Sequence, residues 1–180
     1  MILLFILFEI FVFVIALIAS FYFINSFFTN APFVPVKKRV LQQIIKALDL
    51  KNNSVLYDLG CGDGRVLLEA IKDNENIKAI GTEKNFIVYL LAKWRTKNTK
   101  IKISCIDLKK ISLSDATTIY LYLFPNIMNK LLIKINKECK KGTRIVSCSI
   151  QFDKLTPDEI IDLPITKDKL CQKIFVYILK

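Results

Sequence analysis

An open α/β sheet, mostly parallel and doubly wound, behind one apolar N-terminal helix is the architecture this chain predicts. Three observations predict it. A strand pattern at residues 54–59 breaks into spaced glycines and then into a helical pattern, the strand–turn–helix opening of a nucleotide-binding unit. Strand and helix patterns go on alternating, giving four β–α alternations and a closing hairpin. The surplus of apolar residues, 53% of the chain with a mean hydropathy of +0.39, sits at the N-terminal end.

Met1 to Ile24 holds a single charge, Glu9. As a helix rising about 1.5 Å per residue it spans about 36 Å, enough to cross a bilayer. A secretory signal would need a basic start and a small-residue cleavage site, and neither precedes Ser26. No Lys or Arg stands before this segment, whereas Lys37, Lys38 and Arg39 follow it. The positive-inside rule therefore puts the N-terminus outside and the remaining chain in the cytoplasm. Residues 1–28 are the expected anchor, 29–36 a linker stiffened by Pro32 and Pro35, and 37–180 the globular domain.

Composition excludes several classes of chemistry. The chain has no histidine, so no mechanism with a histidine base or ligand is open to it. Its five cysteines (61, 105, 139, 148, 171) form no Cys-x-x-Cys pair, and free thiols in a reducing compartment are expected. The net charge of +11 is carried mainly by lysines, with four arginines (39, 65, 95, 144). These bases are spread along the chain rather than clustered, which predicts attraction to anionic membrane surfaces and no specific nucleic-acid binding.

The elements follow in order. Val40, Leu41, Ile44, Ile45 and Leu48 form a helical stripe over 37–50. Ser54 to Leu59 is a buried strand, Gly60, Gly62 and Gly64 the turn, and a helix runs from Arg65 to about Lys72. Ile77 to Thr82 is the second strand and ends at Glu83. Asn85 caps a helix reaching Lys97, in which Trp94 is expected to pack on the sheet. Ile101 to Ile106 is the third strand, ending at Asp107-Leu108, and Ala116 to Leu123 the fourth. After Phe124-Pro125-Asn126 an amphipathic helix runs to about Cys139, and Gly142 turns into strand five, Thr143 to Ser149. Glu159 to Thr166 and Gln172 to Leu179 make the hairpin, with Pro164 favouring a sheet edge and no helix expected between strands five and six. Ligands belong at the strand C-termini, where Asp58, Glu83, Asp107 and Tyr122 fall.

The glycine spacing decides what kind of ligand. A pyrophosphate site would be Gly-x-Gly-x-x-Gly with free amides at a helix start. Here the run is Asp58-Leu59-Gly60-Cys61-Gly62-Asp63-Gly64, and a carboxylate at the strand end repels phosphate but suits a cationic amino-acid group. Glu83, at the end of the next strand, is placed to accept from both hydroxyls of a ribose.

That run resembles motif I of the seven-strand S-adenosyl-L-methionine (SAM) methyltransferases. The order of further motifs resembles a narrower family, the membrane-anchored protein lysine methyltransferases that act on the ATP synthase c subunit and the adenine nucleotide translocase, with an archaeal broad-specificity member lacking the anchor. The matching stretches are Ala31-Pro32-Phe33-Val34-Pro35, Tyr57 through Arg65, Gly81-x-Glu83, Tyr122-Leu123-Phe124-Pro125-Asn126 and Gly142 through Ser147. Lys84 and Cys148-Ser149 depart from the family pattern, where a small or apolar residue and a His-containing strand end are usual. The resemblance implies SAM held by Tyr57, Asp58, Gly60, Cys61, Gly62 and Glu83, with Asp107 and Leu108 at the adenine. Tyr122 and Asn126 are the candidates for orienting an incoming amine, and Phe33 for covering the pocket. It implies methyl transfer to lysines of a membrane-embedded or membrane-proximal protein. A membrane-bound small-molecule or lipid methyltransferase would share every cofactor residue. A nucleic-acid base methyltransferase usually carries Asn/Asp-Pro-Pro-aromatic after strand four, where this chain has Leu123-Phe124-Pro125-Asn126.

Overall fold

The computed structural model describes residues 2–28, 35–163 and 171–180, and of residues 24–28 the backbone alone. The expectations for Phe33, for most of the 29–36 linker and for Pro164 lie outside the described residues. The chain divides into two compact units, Met1–Pro32 and Phe33–Lys180.

The first unit is a helix, α1 (Ile2–Phe28). Its window Ile2–Phe23 has a mean hydropathy of 3.2 with none of it buried, so it is long and apolar enough to cross a membrane.

Among its described residues the second unit is a seven-stranded sheet with four helices. In chain order its elements are α2 (Lys38–Leu48), β1 (Val55–Leu59), α3 (Arg65–Asp73), β2 (Lys78–Thr82), α4 (Phe86–Thr96), β3 (Lys102–Ser104), β4 (Thr118–Leu121), α5 (Pro125–Glu138), β5 (Arg144–Cys148), β6 (Glu159–Asp162) and β7 (Lys173–Ile178). The strand order is β3-β2-β1-β4-β5-β7-β6, and β7 runs opposite to the other six strands. The order reverses between β1 and β4, which opens a crevice beyond their C-terminal ends.

Two apolar layers sandwich the sheet. On one face Val40, Leu41, Ile44, Ile45 and Leu48 of α2 pack with Val66 and Leu67 of α3 and Ala92 of α4 over Leu56, Ala79, Tyr120 and Val146. On the other, Met128, Leu131 and Ile135 of α5 cover Leu59, Ile119, Leu121 and Ile145. Burying each such side chain is worth about 1.5–3 kcal/mol, so these stripes, not helix propensity, hold the short helices in place. Arg144 donates from Nε to the carbonyl of Ala47 at 2.7 Å and satisfies the C-terminal turn of α2.

The structure corrects three expectations, for β3, Trp94 and the cysteines. The 105–117 connection between β3 and β4 has no helix. Leu113, fully buried, fills that side of the sheet instead, and its amide is held by Glu138. Strand β3 stops at Ser104, because Asp107 already accepts from the amide of Lys109 in a turn. Trp94 is 66% exposed, since Val88, Ala92 and Thr96 form the packed face of α4. Finally, the cysteines are not all free. Cys148 at the end of β5 and Cys171 just before β7 form a disulfide, with Cα atoms 6.0 Å apart, because the β5–β7 pairing brings them together. Cys61, Cys105 and Cys139 are free thiols.

Candidate functional site

The glycine turn is fixed by its own backbone. Gly60, Gly62 and Gly64 all have positive φ (83°, 55° and 76°), the left-handed region that an L side chain enters at a cost of about 1–2 kcal/mol. The amides of Gly60 and Cys61 both donate to the carbonyl of Thr82, at 2.8 and 2.9 Å, so the loop is stitched to the end of β2. A Cβ on Gly60 would also meet Leu123 Cδ2 at 2.9 Å, so the Leu123 side chain would have to shift to admit one.

Glu83 sits across this loop. Its Oε2 accepts from the amide of Gly62 at 3.1 Å and its Oε1 from the amide of Asn85 at 2.8 Å. Each oxygen keeps a lone pair for a further donor, so the carboxylate is oriented by two amides and still able to accept from two vicinal hydroxyls. Asn85 in turn caps α4, accepting from the amides of Ile87 and Val88.

Asp58 lies under the loop and is 2% exposed. Its Oδ2 has no hydrogen-bond partner, and neither do the hydroxyls of Thr82 and Tyr120. Tyr120 is directly opposite Asp58 in the β1–β4 register. Burial raises the Asp58 carboxyl well above its ordinary range, and the charges of Glu83 and Asp63 push the same way. A buried carboxyl among hydroxyls without partners and beside a second carboxylate suits a cationic group.

Asp63, expected only as part of the motif, has a structural task. It pairs with Arg65 and with Arg95, while Arg65 also donates to the carbonyl of Val36. The ion cluster ties the loop to α4 and to the chain entering α2, and the two arginines hold the Asp63 carboxyl below its ordinary range against the opposing effect of burial.

The remaining predicted residues divide. Cys61 is buried, its thiol pushed up by burial, and its Sγ is 2.8 Å from where a Cβ on Gly81 would stand. The thiol donates weakly to the carbonyl of Gly62 within the loop. Tyr57 does not join the site through its side chain: its hydroxyl donates to Asp115 at 2.6 Å, and Asp115 also takes Lys78. Asp107 lies in the loop beyond β3, 3.8 Å from Lys84 Nζ, and Leu108 packs against the core cluster around Tyr57. Tyr122, just past β4, is half-buried, with the Ser149 side chain just past β5 beside it. Burial pushes its hydroxyl pKa up and the neighbouring Ser149 hydroxyl partly offsets the shift. Asn126 is exposed in the first turn of α5. Thr82, Tyr120 and Ser149 were missed from sequence. Tyr120 shares strand alternation with Tyr122, but only the β1–β4 register sets it against Asp58.

The charge pattern fits SAM. Glu83 has free lone pairs that would suit a ribose, the buried Asp58 Oδ2 without a partner would suit a cationic ammonium, and the glycine turn would let a ligand approach the backbone. A doubly wound sheet of this order with such a site defines a methyltransferase. Residues 58–159 match the family model of the ANTKMT methyltransferase domain, and the chain belongs to that family. It is 31% identical over 140 residues to a protein-lysine N-methyltransferase of Saccharolobus islandicus, covering 76% of this chain and 87% of the relative. It is 28% identical over 133 residues to the lysine N-methyltransferase of the ATP synthase c subunit from Homo sapiens, covering 72% of this chain but 56% of that protein. Among solved structures, an RNA methyltransferase from Salinibacter ruber in complex with S-adenosyl-L-homocysteine superposes with a TM-score of 0.74 at 26% identity, covering 81% of this chain and 94% of that one. The protein is thus a SAM-dependent enzyme of the ANTKMT group.

Proposed function

We propose that the chain is a protein-lysine N-methyltransferase, and that its N-terminal helix holds it at a membrane, next to lysines of membrane proteins. The likeness to a protein-lysine N-methyltransferase over 76% of the chain carries this reading. The form of the site supports it. Bound SAM supplies a methyl group on a cationic sulfur, already activated toward an uncharged amine. The protein's work is then to align and desolvate, which asks for no histidine and no metal.

Each half of the crevice has its part. Asp58 receives the ammonium end of the cofactor and Glu83 its ribose, with the Gly60–Gly62 backbone between them. Asp107 and Leu108 lie toward the adenine. On the acceptor side Tyr122, beside Ser149, presents a hydroxyl oxygen that accepts a hydrogen bond from an amine, and exposed Asn126 offers a second contact at the rim. The lysine must arrive neutral, and the half-buried surroundings of Tyr122 favour that form. Phe33 is the proposed cover, in the segment outside the described residues.

Lys37, Lys38 and Arg39, following α1, set the catalytic unit on the cytoplasmic side with the N-terminus outside. Incubating the full chain with labelled SAM and its own host membranes separates the readings. Label entering protein and recovered as methyl-lysine supports the proposal. Label entering lipid or a small molecule sinks it in favour of a membrane-bound lipid or small-molecule methyltransferase.

A further inference from the structure

Helix α4 has two faces that do different work. Val88, Ala92 and Thr96 are buried against the sheet. Phe86, Leu90 and Trp94, spaced i, i+4 and i+8 along one stripe, are 56%, 46% and 66% exposed, and Leu91 beside them is 42% exposed. Four large apolar side chains on one outward face of a helix are not needed by the fold, which is complete beneath them.

The charges around this stripe are of one sign. Between Glu83 and Asp107 the chain carries Lys84, Lys93, Arg95, Lys97, Lys100 and Lys102 and no acidic residue. By helical periodicity Lys93 and Lys97 flank Phe86, on the edge of the apolar stripe. Arg95 is on the other side, committed to Asp63. Exposed Trp, Phe and Leu bordered by lysines are the side chains of an interfacial helix, with rings at headgroup depth and ammonium groups at anionic phosphates.

We propose that the outward face of α4 is a membrane-contact surface that takes an anionic lipid bilayer. This rests on the membrane reading above and adds a residue-level contact to it. Asn85 caps the same helix and also holds Glu83. A bilayer on the α4 face therefore places the rim of the crevice at headgroup level, where loops of membrane proteins present their lysines.

Trp94 is the chain's only tryptophan, so its fluorescence reports this face alone. The full chain is reconstituted with vesicles of phosphatidylcholine, or of phosphatidylcholine with phosphatidylglycerol. Flotation after an alkaline wash reports insertion of the N-terminal helix. Quenching by shallow nitroxide-labelled lipid, against quenching by aqueous iodide, reports Trp94. The expected result is a blue-shifted Trp94 that shallow lipid quenches in the anionic vesicles, returning to water at high salt. Lys93→Ala with Lys97→Ala should lower the ratio of shielded to open Trp94 by about 30-fold, from about a factor of five per basic residue at an anionic surface. A chain that floats while Trp94 stays open to iodide overturns this inference and leaves the anchor standing. A chain that does not float overturns both. Shielding that appears only when a protein substrate is added overturns it too, making the face a protein dock.

Discussion

The two halves of the crevice are built differently. At the β1–β2 end the glycine turn and Glu83 are held by backbone: Thr82 O takes two amides of the turn, and two amides orient Glu83. At the β4–β5 end the pieces are side chains in separate loops just past the strands, Tyr122 and Ser149, with Asn126 exposed on α5. The first half is a preformed receptor whose geometry depends on glycines and one carboxylate spacing. On the proposed function the second would be adjustable, able to change its acceptor without disturbing the cofactor. In this account, donor and acceptor functions are separable by mutation.

The largest expected effect is at Asp58. Asp58→Asn removes the charge facing the ammonium, and SAM affinity should fall about 10–100-fold, the value of a hydrogen bond to a charged group. The same variant should be more stable without ligand. The native Asp58 carboxyl lies well above the 3.8 of the unfolded chain, so the native state retains a proton that the unfolded state loses. Its contribution to stability is full below about 3.8 and is lost as pH rises through the native value. Wild type should therefore lose stability relative to Asp58→Asn between acid and neutral pH, as thermal melts at several pH values will show. An unchanged difference across that range would mean that the carboxyl is not held protonated.

Tyr122→Phe tests the other half. Turnover should drop about tenfold or more with cofactor affinity retained, as expected for a group that orients the acceptor. Steady-state kinetics with saturating SAM reads this directly, and a loss in cofactor affinity instead would place Tyr122 on the donor side.

Gly60→Ala should cost about 1–2 kcal/mol in stability from its positive φ, before the clash with Leu123 is added. Chemical denaturation measures it. The smallest perturbation is alkylation of the native protein. Exposed Cys105 should react and buried Cys61 should not, while Cys148 and Cys171 should react only after reduction. Reaction of Cys148 without a reductant would undo the disulfide assignment.

The same contrast explains what the sequence disclosed. The glycine turn, Asp58 and Glu83 were legible because each is fixed by local spacing at a strand end. The sheet was legible because alternation and glycines mark its strands, although the 105–117 stretch carried no sign that Leu113 would stand in for a helix. Tyr120 was not legible, since its meaning comes from lying opposite Asp58 across paired strands 62 residues apart in sequence. Trp94 misled for a related reason. Helical periodicity shows that a stripe exists but not which stripe meets the sheet, and on α4 the small residues Ala92 and Thr96 take the close contact.

Calorimetric titration of SAM into two variants side by side tests the separation of the halves most directly. Glu83→Ala removes the acceptor for two ribose hydroxyls and should weaken binding by about 100-fold, to the edge of detection. Tyr122→Phe should bind within about twofold of wild type. Wild-type affinity in Glu83→Ala, or a comparable loss in Tyr122→Phe, would contradict the account.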